Sequence, residues 1–122
     1  MGEQFNKNKV KKIILDYITK KNDVSHAELE WLFQQNKIPF RGHFDILSNK
    51  CDHVVFWSGW SEDIIKVFNE LITEGKIHRE PTHILTYIVD GVTLPLPLVK
   101  KFYPYKTDHW LPTVFCIGPD ID

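Results

Sequence analysis

Cysteine is scarce in this chain, and so are methionine and glycine. Two cysteines and one methionine occur among 122 residues. Cys51 and Cys116 form no C-x-x-C pair, which excludes a disulfide framework and the paired spacing of common structural zinc sites. Six glycines leave little room for a phosphate-cradling loop. No G-x-x-x-x-G-K-[ST], H-E-x-x-H or G-x-S-x-G pattern is present. The net charge of −1 supplies no overall field toward nucleic acid. No apolar run approaches the roughly 20 residues needed to span a bilayer. The N-terminal stretch has no apolar core followed by a cleavage site. Asn6 stands where a myristoylation site wants Ser or Thr. A cytoplasmic protein with reduced thiols, no membrane partner and no cofactor is the expectation.

Aromatic residues, by contrast, are abundant at 13%, with hydrophobic residues at 43% and charged residues at 25%. That composition suits one globular domain over 1–122 with a largely aromatic core. Charge is unevenly spread. Residues 1–50 carry +3, 51–75 carry −4, 76–106 carry +3 and the remainder −3.

Hydrophobic spacing organises the chain. Val10, Ile13, Ile14, Tyr17 and Ile18 form the stripe of an amphipathic helix over 9–21. Ser25-His26-Ala27-Glu28 is a capping box, with Ser25 capping a helix to Gln35 and Glu28 reaching back. That helix buries Leu29, Leu32 and Phe33. Residues 41–48 fit either a short helix or an ordered loop. Val54 to Trp57 reads as a buried strand. Ser61 caps the strongest helix, led by Glu62 and Asp63, where the dipole favours acids. Its inward stripe is Ile64, Ile65, Val67, Phe68, Leu71 and Ile72, and Gly75 stops it. A strand over 76–80, a turn at Pro81-Thr82-His83 and a strand over 84–89 should follow. Asp90-Gly91 is a hairpin signal that would pair Val92 to Leu94 back. Leu98 to Phe102 could make one helical turn, and Thr113 to Ile117 a last strand. Trp110 and Phe115 should pack the tail onto the domain.

Leu71-Ile72-Thr73-Glu74-Gly75-Lys76-Ile77 runs a helix straight into a strand. With the helix pair before it, this resembles a winged helix-turn-helix domain over about 8–91, with 92–122 as an extension. The resemblance implies an α+β fold of three or four helices with a small antiparallel sheet, and a non-enzymatic regulatory or accessory role in binding duplex DNA. It sets the Ser61 helix as the recognition helix behind an insertion, unless 41–48 is the third helix and the Ser61 helix an addition.

On that reading Lys66, Asn69, Arg79 and His83 face the duplex, and Lys11 and Lys12 meet phosphates together with Lys7, Lys9, Lys20 and Lys21. Yet the helix is led by acids, which repel phosphates and do not read most base edges. The alternative is a winged-helix fold used for protein–protein contact, homodimerisation included. Trp60 would be its exposed anchor, beside Glu62, Asp63 and Glu70.

Other constellations favour plainer readings. Cys51, His53, His109 and Cys116 could be imagined around a metal, but their spacing points to an unliganded turn and strand. A Cys–His nucleophile lacks any supporting motif. His78 and His83 should flank the hairpin turn as ordinary exposed histidines. Lys100, Lys101 and Lys106 alternate with Phe102, Tyr103 and Tyr105. That mix suits single-stranded nucleic acid as well as it suits a packed tail.

Overall fold

The computed structural model describes residues 5–101 and 105–120. Among the described residues the architecture is α+β, with four helices and two three-stranded sheets. Helix α1 spans Lys7–Lys21, and Asn6 caps it by accepting from Lys9 N–H at 3.1 Å. Lys20 and Lys21 occupy its last turn, where the dipole favours cations. Asn22 and Asp23 then turn the chain at φ 51° and 52°, a region Asn and Asp enter more readily than most residues. The two-residue strand β1, Val24–Ser25, leads into α2, His26–Gln35.

Half of the capping box forms. Ser25 Oγ accepts from Glu28 N–H at 3.0 Å. The Glu28 carboxylate does not reach back. It is held by the Tyr17 hydroxyl and by Lys21 Nζ at 3.2 Å, and so ties α2 to α1.

Residues 41–48 form no helix. Strand β2, Arg41–Leu47, pairs antiparallel with β3, Val54–Trp60, through an irregular register. The helical spacing of Phe40, Phe44 and Leu47 is overridden by pairing with β3, which gives β2 backbone partners along one edge. Gly42 permits the close crossing at one end. A Cβ there would meet Ser61 Cα and the Trp60 carbonyl oxygen at 2.6 Å.

Helix α3, Glu62–Thr73, starts with Ser61 Oγ accepting from Ile64 N–H at 3.3 Å. It ends in a Schellman arrangement. Gly75 takes φ 74°, and the Lys76 and Gly75 N–H groups reach the Leu71 and Ile72 carbonyls at 3.0 Å each. Strand β4, Ile77–Pro81, leaves this stop directly.

The expected return strand over 84–89 is instead helix α4, Ile84–Asp90. His83 caps it, accepting from Leu85 N–H at 3.1 Å, and Gly91 closes it at φ 87°. Asp90-Gly91 is therefore a helix stop and not a hairpin turn, and Val92 to Leu94 join no strand. The turn at Pro81-Thr82-His83 and the Asp90-Gly91 signal point to a strand, but Ile84, Tyr87 and Ile88 follow helical spacing.

The partner of β4 arrives much later, as β6, Thr113–Ile117. One sheet runs β1-β6-β4, all antiparallel. The other runs β2-β3-β5, where β5 is His109–Trp110 and joins β3 in parallel. Leu98 bridges to Trp110 without a helical turn at 98–101, and Phe102 lies outside the described residues.

The core joins the faces of α1, α2 and α3 to both sheets. Val10, Ile14 and Ile18 come from α1, Leu29, Leu32 and Phe33 from α2, and Ile64, Val67, Phe68 and Leu71 from α3. Trp57, Trp60, Trp110 and Phe115 fill the centre, the last two contributed by the C-terminal part of the chain. Among the described residues, no helix is long and apolar enough to cross a membrane.

Candidate functional site

The outer face of α3 carries charge that is largely matched. Glu62 and Asp63 are exposed in its first turn, and Lys66 Nζ lies 3.9 Å from Glu62. Asn69 is exposed beside Glu70 and Glu74 around a shallow hollow. From α1, Lys7 reaches Glu70 at 3.0 Å, and Lys11 reaches Glu70 and Glu74 at 3.2 and 2.9 Å. The bond to Glu74 is the largest influence holding the Lys11 ammonium above its ordinary pKa. Lys7 does most to hold the Glu70 carboxyl below its usual range, and Lys11 does so for Glu74. Lys11 is thus committed to α3 with a side chain only 17% exposed, and does not present itself to phosphates. Lys12 is exposed and pairs with Asp16 at 3.0 Å.

Two further expected positions are corrected. Trp60 is fully buried, not an exposed anchor. Its indole N–H and that of Trp57 both donate to one oxygen of Glu30, at 2.9 Å each. The strand runs on to Trp60, and Gly59 at φ 89° breaks its alternation so that Trp60 turns to the same side as Trp57, where Glu30 satisfies both buried donors. Arg79 does not face outward either. Its guanidinium lies 5.1 Å from the Phe56 ring centre and 4.9 Å from that of Phe115. Burial lowers its pKa to about 10. His83 remains exposed, but as the cap of α4.

The centre of the molecule holds a polar group that sequence reading did not single out. His26 is completely buried among the rings of Trp57, Trp60, Tyr87 and Phe115, with ring centres 5.0–6.4 Å away. The Tyr87 hydroxyl donates to the Thr113 carbonyl and accepts from His26 N–H at 3.1 Å. With its proton so committed, the hydroxyl can only accept from Nδ1, 2.8 Å away. His26 is then the neutral Nδ1–H tautomer, and its buried Nε2 has no partner. Burial first, and Arg79 second, hold its pKa well below the histidine norm. No sequence motif signals this arrangement; His26 was legible only as part of a capping box.

An apolar surface lies on α4. Tyr87 alone is buried from this helix, whereas Leu85, Ile88, Val89 and Val92 are exposed, Val89 at 82%. Leu85, Ile88 and Val89, at i, i+3 and i+4, lie along one face of the helix, and Val92 follows just past the Gly91 stop. Trp31, Phe44 and Leu47 are also more than half exposed. A separate open cleft of about 840 Å³ lies between the start of α1 and the loop after α2, lined by Phe5, Lys9, Ile13 and Ile38.

The residues considered for a metal are not assembled. The His53 ring lies 3.0 Å from Asp108, and His109 stacks on Tyr105 at 3.8 Å. Cys51 sits in the loop between β2 and β3, and Cys116 belongs to β6 in the other sheet. There a different set converges: ligand atoms of His78, Glu80 and Cys116 all lie within 4.8 Å of one another. Burial, then Asp23 and Glu80, push the Cys116 thiol up to about 12. The basic–aromatic tail resolves in part. Tyr105 is buried, with its hydroxyl on the Lys101 carbonyl at 2.8 Å, while Phe102 and Tyr103 lie outside the described residues.

Compared with known proteins, the chain matches no family model, no curated protein and no solved structure.

Proposed function

We propose that this chain is a non-enzymatic winged-helix-type protein that works through protein–protein contact, with α4 as the contact face and a second copy of the chain as its partner. The exposed apolar face of Leu85, Ile88 and Val89 on α4, with Val92 just past its end, carries this reading. Three exposed apolar side chains gathered on about one helical turn are more than a scatter of single apolar residues, and on a surface such clusters mark contacts. Its neighbours Thr82, His83, Thr86, Asp90 and Thr93 bear little charge, so nothing in the rim selects a strongly charged partner. A two-fold contact needs only one self-complementary patch, and a helical stripe packs readily on its own copy.

The winged-helix part of the reading is supported by the helix pair, by α3 running into β4 at Gly75, and by the small antiparallel sheet β1-β6-β4. Two features set the chain apart from the simplest form of that family. The β2–β3 pair stands between α2 and α3, and α4 stands where a short wing turn was expected. The DNA reading is weakened by the acids on α3, the committed Lys11 and the enclosed Arg79. Lys66, Asn69, Lys12 and His83 remain exposed.

The test has two arms. Sedimentation over a rising concentration series should show a monomer–dimer equilibrium. Titration against duplex DNA should give no binding with the steep salt dependence of phosphate contacts. A chain that stays monomeric throughout, or that binds duplex with such a salt slope, overturns the proposal.

A further inference from the structure

We propose that His78, Glu80 and Cys116 form a binding site for a divalent transition cation, zinc above all, on the β4–β6 strand pair. His78 and Cys116 are directly opposed in the antiparallel register, and Glu80 follows two residues along, on the same face as His78. This brings a nitrogen, an oxygen and a sulfur donor within 4.8 Å of one another. Two donors on one tetrahedral zinc stand about 3.5 Å apart, given metal–ligand distances of about 2.0–2.3 Å. Small side-chain movements therefore suffice to close the site.

The surroundings orient these donors. His78 Nδ1 is 3.0 Å from the Gly118 carbonyl and donates to it, which directs Nε2 toward Glu80, 2.7 Å away. A backbone carbonyl on the far ring nitrogen is the usual way a ligating histidine is held. Cys116 is almost wholly buried and donates to Asp23 Oδ1 at 3.1 Å. His78 is mostly enclosed, while the Glu80 side chain is 54% exposed and gives the site an opening to solvent.

Three protein donors leave a fourth position for water. Hard cations such as magnesium and calcium prefer all-oxygen sites, whereas a thiolate with an imidazole suits zinc, cobalt or nickel. Binding requires the proton on Sγ, now donated to Asp23, and the proton between Nε2 and Glu80 to leave for solvent as the cation takes their place. The bound ion would tie β4 to β6 beside the Gly118 turn, stiffening the sheet that backs α3.

Cobalt(II) reports on such a site directly. Titration of protein purified without a histidine tag should give one equivalent of cobalt per chain, with thiolate-to-cobalt charge transfer in the near ultraviolet and four-coordinate bands in the visible. Zinc should displace it. Cys116→Ser and His78→Gln should abolish the charge-transfer band, and Cys51→Ser should leave it intact. Glu80→Gln should weaken binding about 10-fold or more. Because Glu80 is exposed, this variant carries the decision if Cys116→Ser does not fold by circular dichroism. Absence of a charge-transfer band in the wild type, its persistence in folded His78→Gln or Cys116→Ser, or unchanged affinity in Glu80→Gln overturns the assignment.

Discussion

Helices α3 and α4 are built alike at their ends and oppositely on their faces. Each begins on a side-chain cap, Ser61 or His83, and each finishes at a glycine with positive φ. Helix α3 buries Ile64, Val67, Phe68 and Leu71 and presents acids to solvent. Helix α4 buries Tyr87 and presents Leu85, Ile88 and Val89. One helix has spent its apolar surface inside the molecule; the other keeps it available. On the proposed function α3 is a structural member whose Glu70 and Glu74 are tied to α1, and α4 is the contact face.

The largest expected effect lies on α3. Phe68→Ala should lower the unfolding free energy in denaturant by about 3–5 kcal/mol, since it removes a ring packed between Phe33, Trp60 and Phe115. A loss below about 1 kcal/mol would break the comparison at its first term. Tyr87→Phe comes next, at about 1–3 kcal/mol, because it strips partners from the Thr113 carbonyl and from the His26 N–H and Nδ1. That value measures how firmly the single buried residue of α4 anchors it.

A pH series separates the interior from the surface. His26 is buried neutral with a depressed pKa, whereas the unfolded chain protonates near the ordinary histidine value of about 6.5. The unfolded state therefore binds the extra proton below that pH. The His26 contribution is complete above about pH 6.5 and falls by up to about 1.4 kcal/mol per pH unit below it, down to the folded pKa. His26→Phe should flatten the slope in that window. An unchanged slope would place the proton uptake on another histidine.

At the other end of the scale, Lys11→Gln should produce only a small shift in the denaturation midpoint, fading as salt is added. A large shift, insensitive to salt, would mean that the α1–α3 charges hold the fold and do not merely dress it.

Much of the fold was legible in the sequence. The first three helices, their caps at Ser25 and Ser61, the stop at Gly75 and the strands at 77 and 113 follow from local rules that act within a few residues. What escaped depended on distant partners. Residues 41–47 are a strand because β3 lies alongside, and β4 finds its neighbour 30 or more residues later, leaving 84–90 to fold as a helix. The site fared similarly. Trp60 and Arg79 look like surface groups until Glu30 and the Phe56 and Phe115 rings are placed around them. His78 and Glu80 share a strand face by simple alternation, but only the register brings Cys116 opposite. The unpartnered Nε2 of His26 has no sequence signature at all.

We propose that the outward face of α4 binds a second copy of the chain. The most direct test is sedimentation velocity on the wild type and on a Leu85→Asp, Ile88→Asp double variant at matched concentrations. Both side chains are more than half exposed. The variant should unfold within about 0.5 kcal/mol of the wild type, as surface changes do. The account predicts a wild type that moves from monomer to dimer as concentration rises, and a variant that remains monomeric. Indistinguishable behaviour of the two, whether both dimeric or both monomeric, would contradict it.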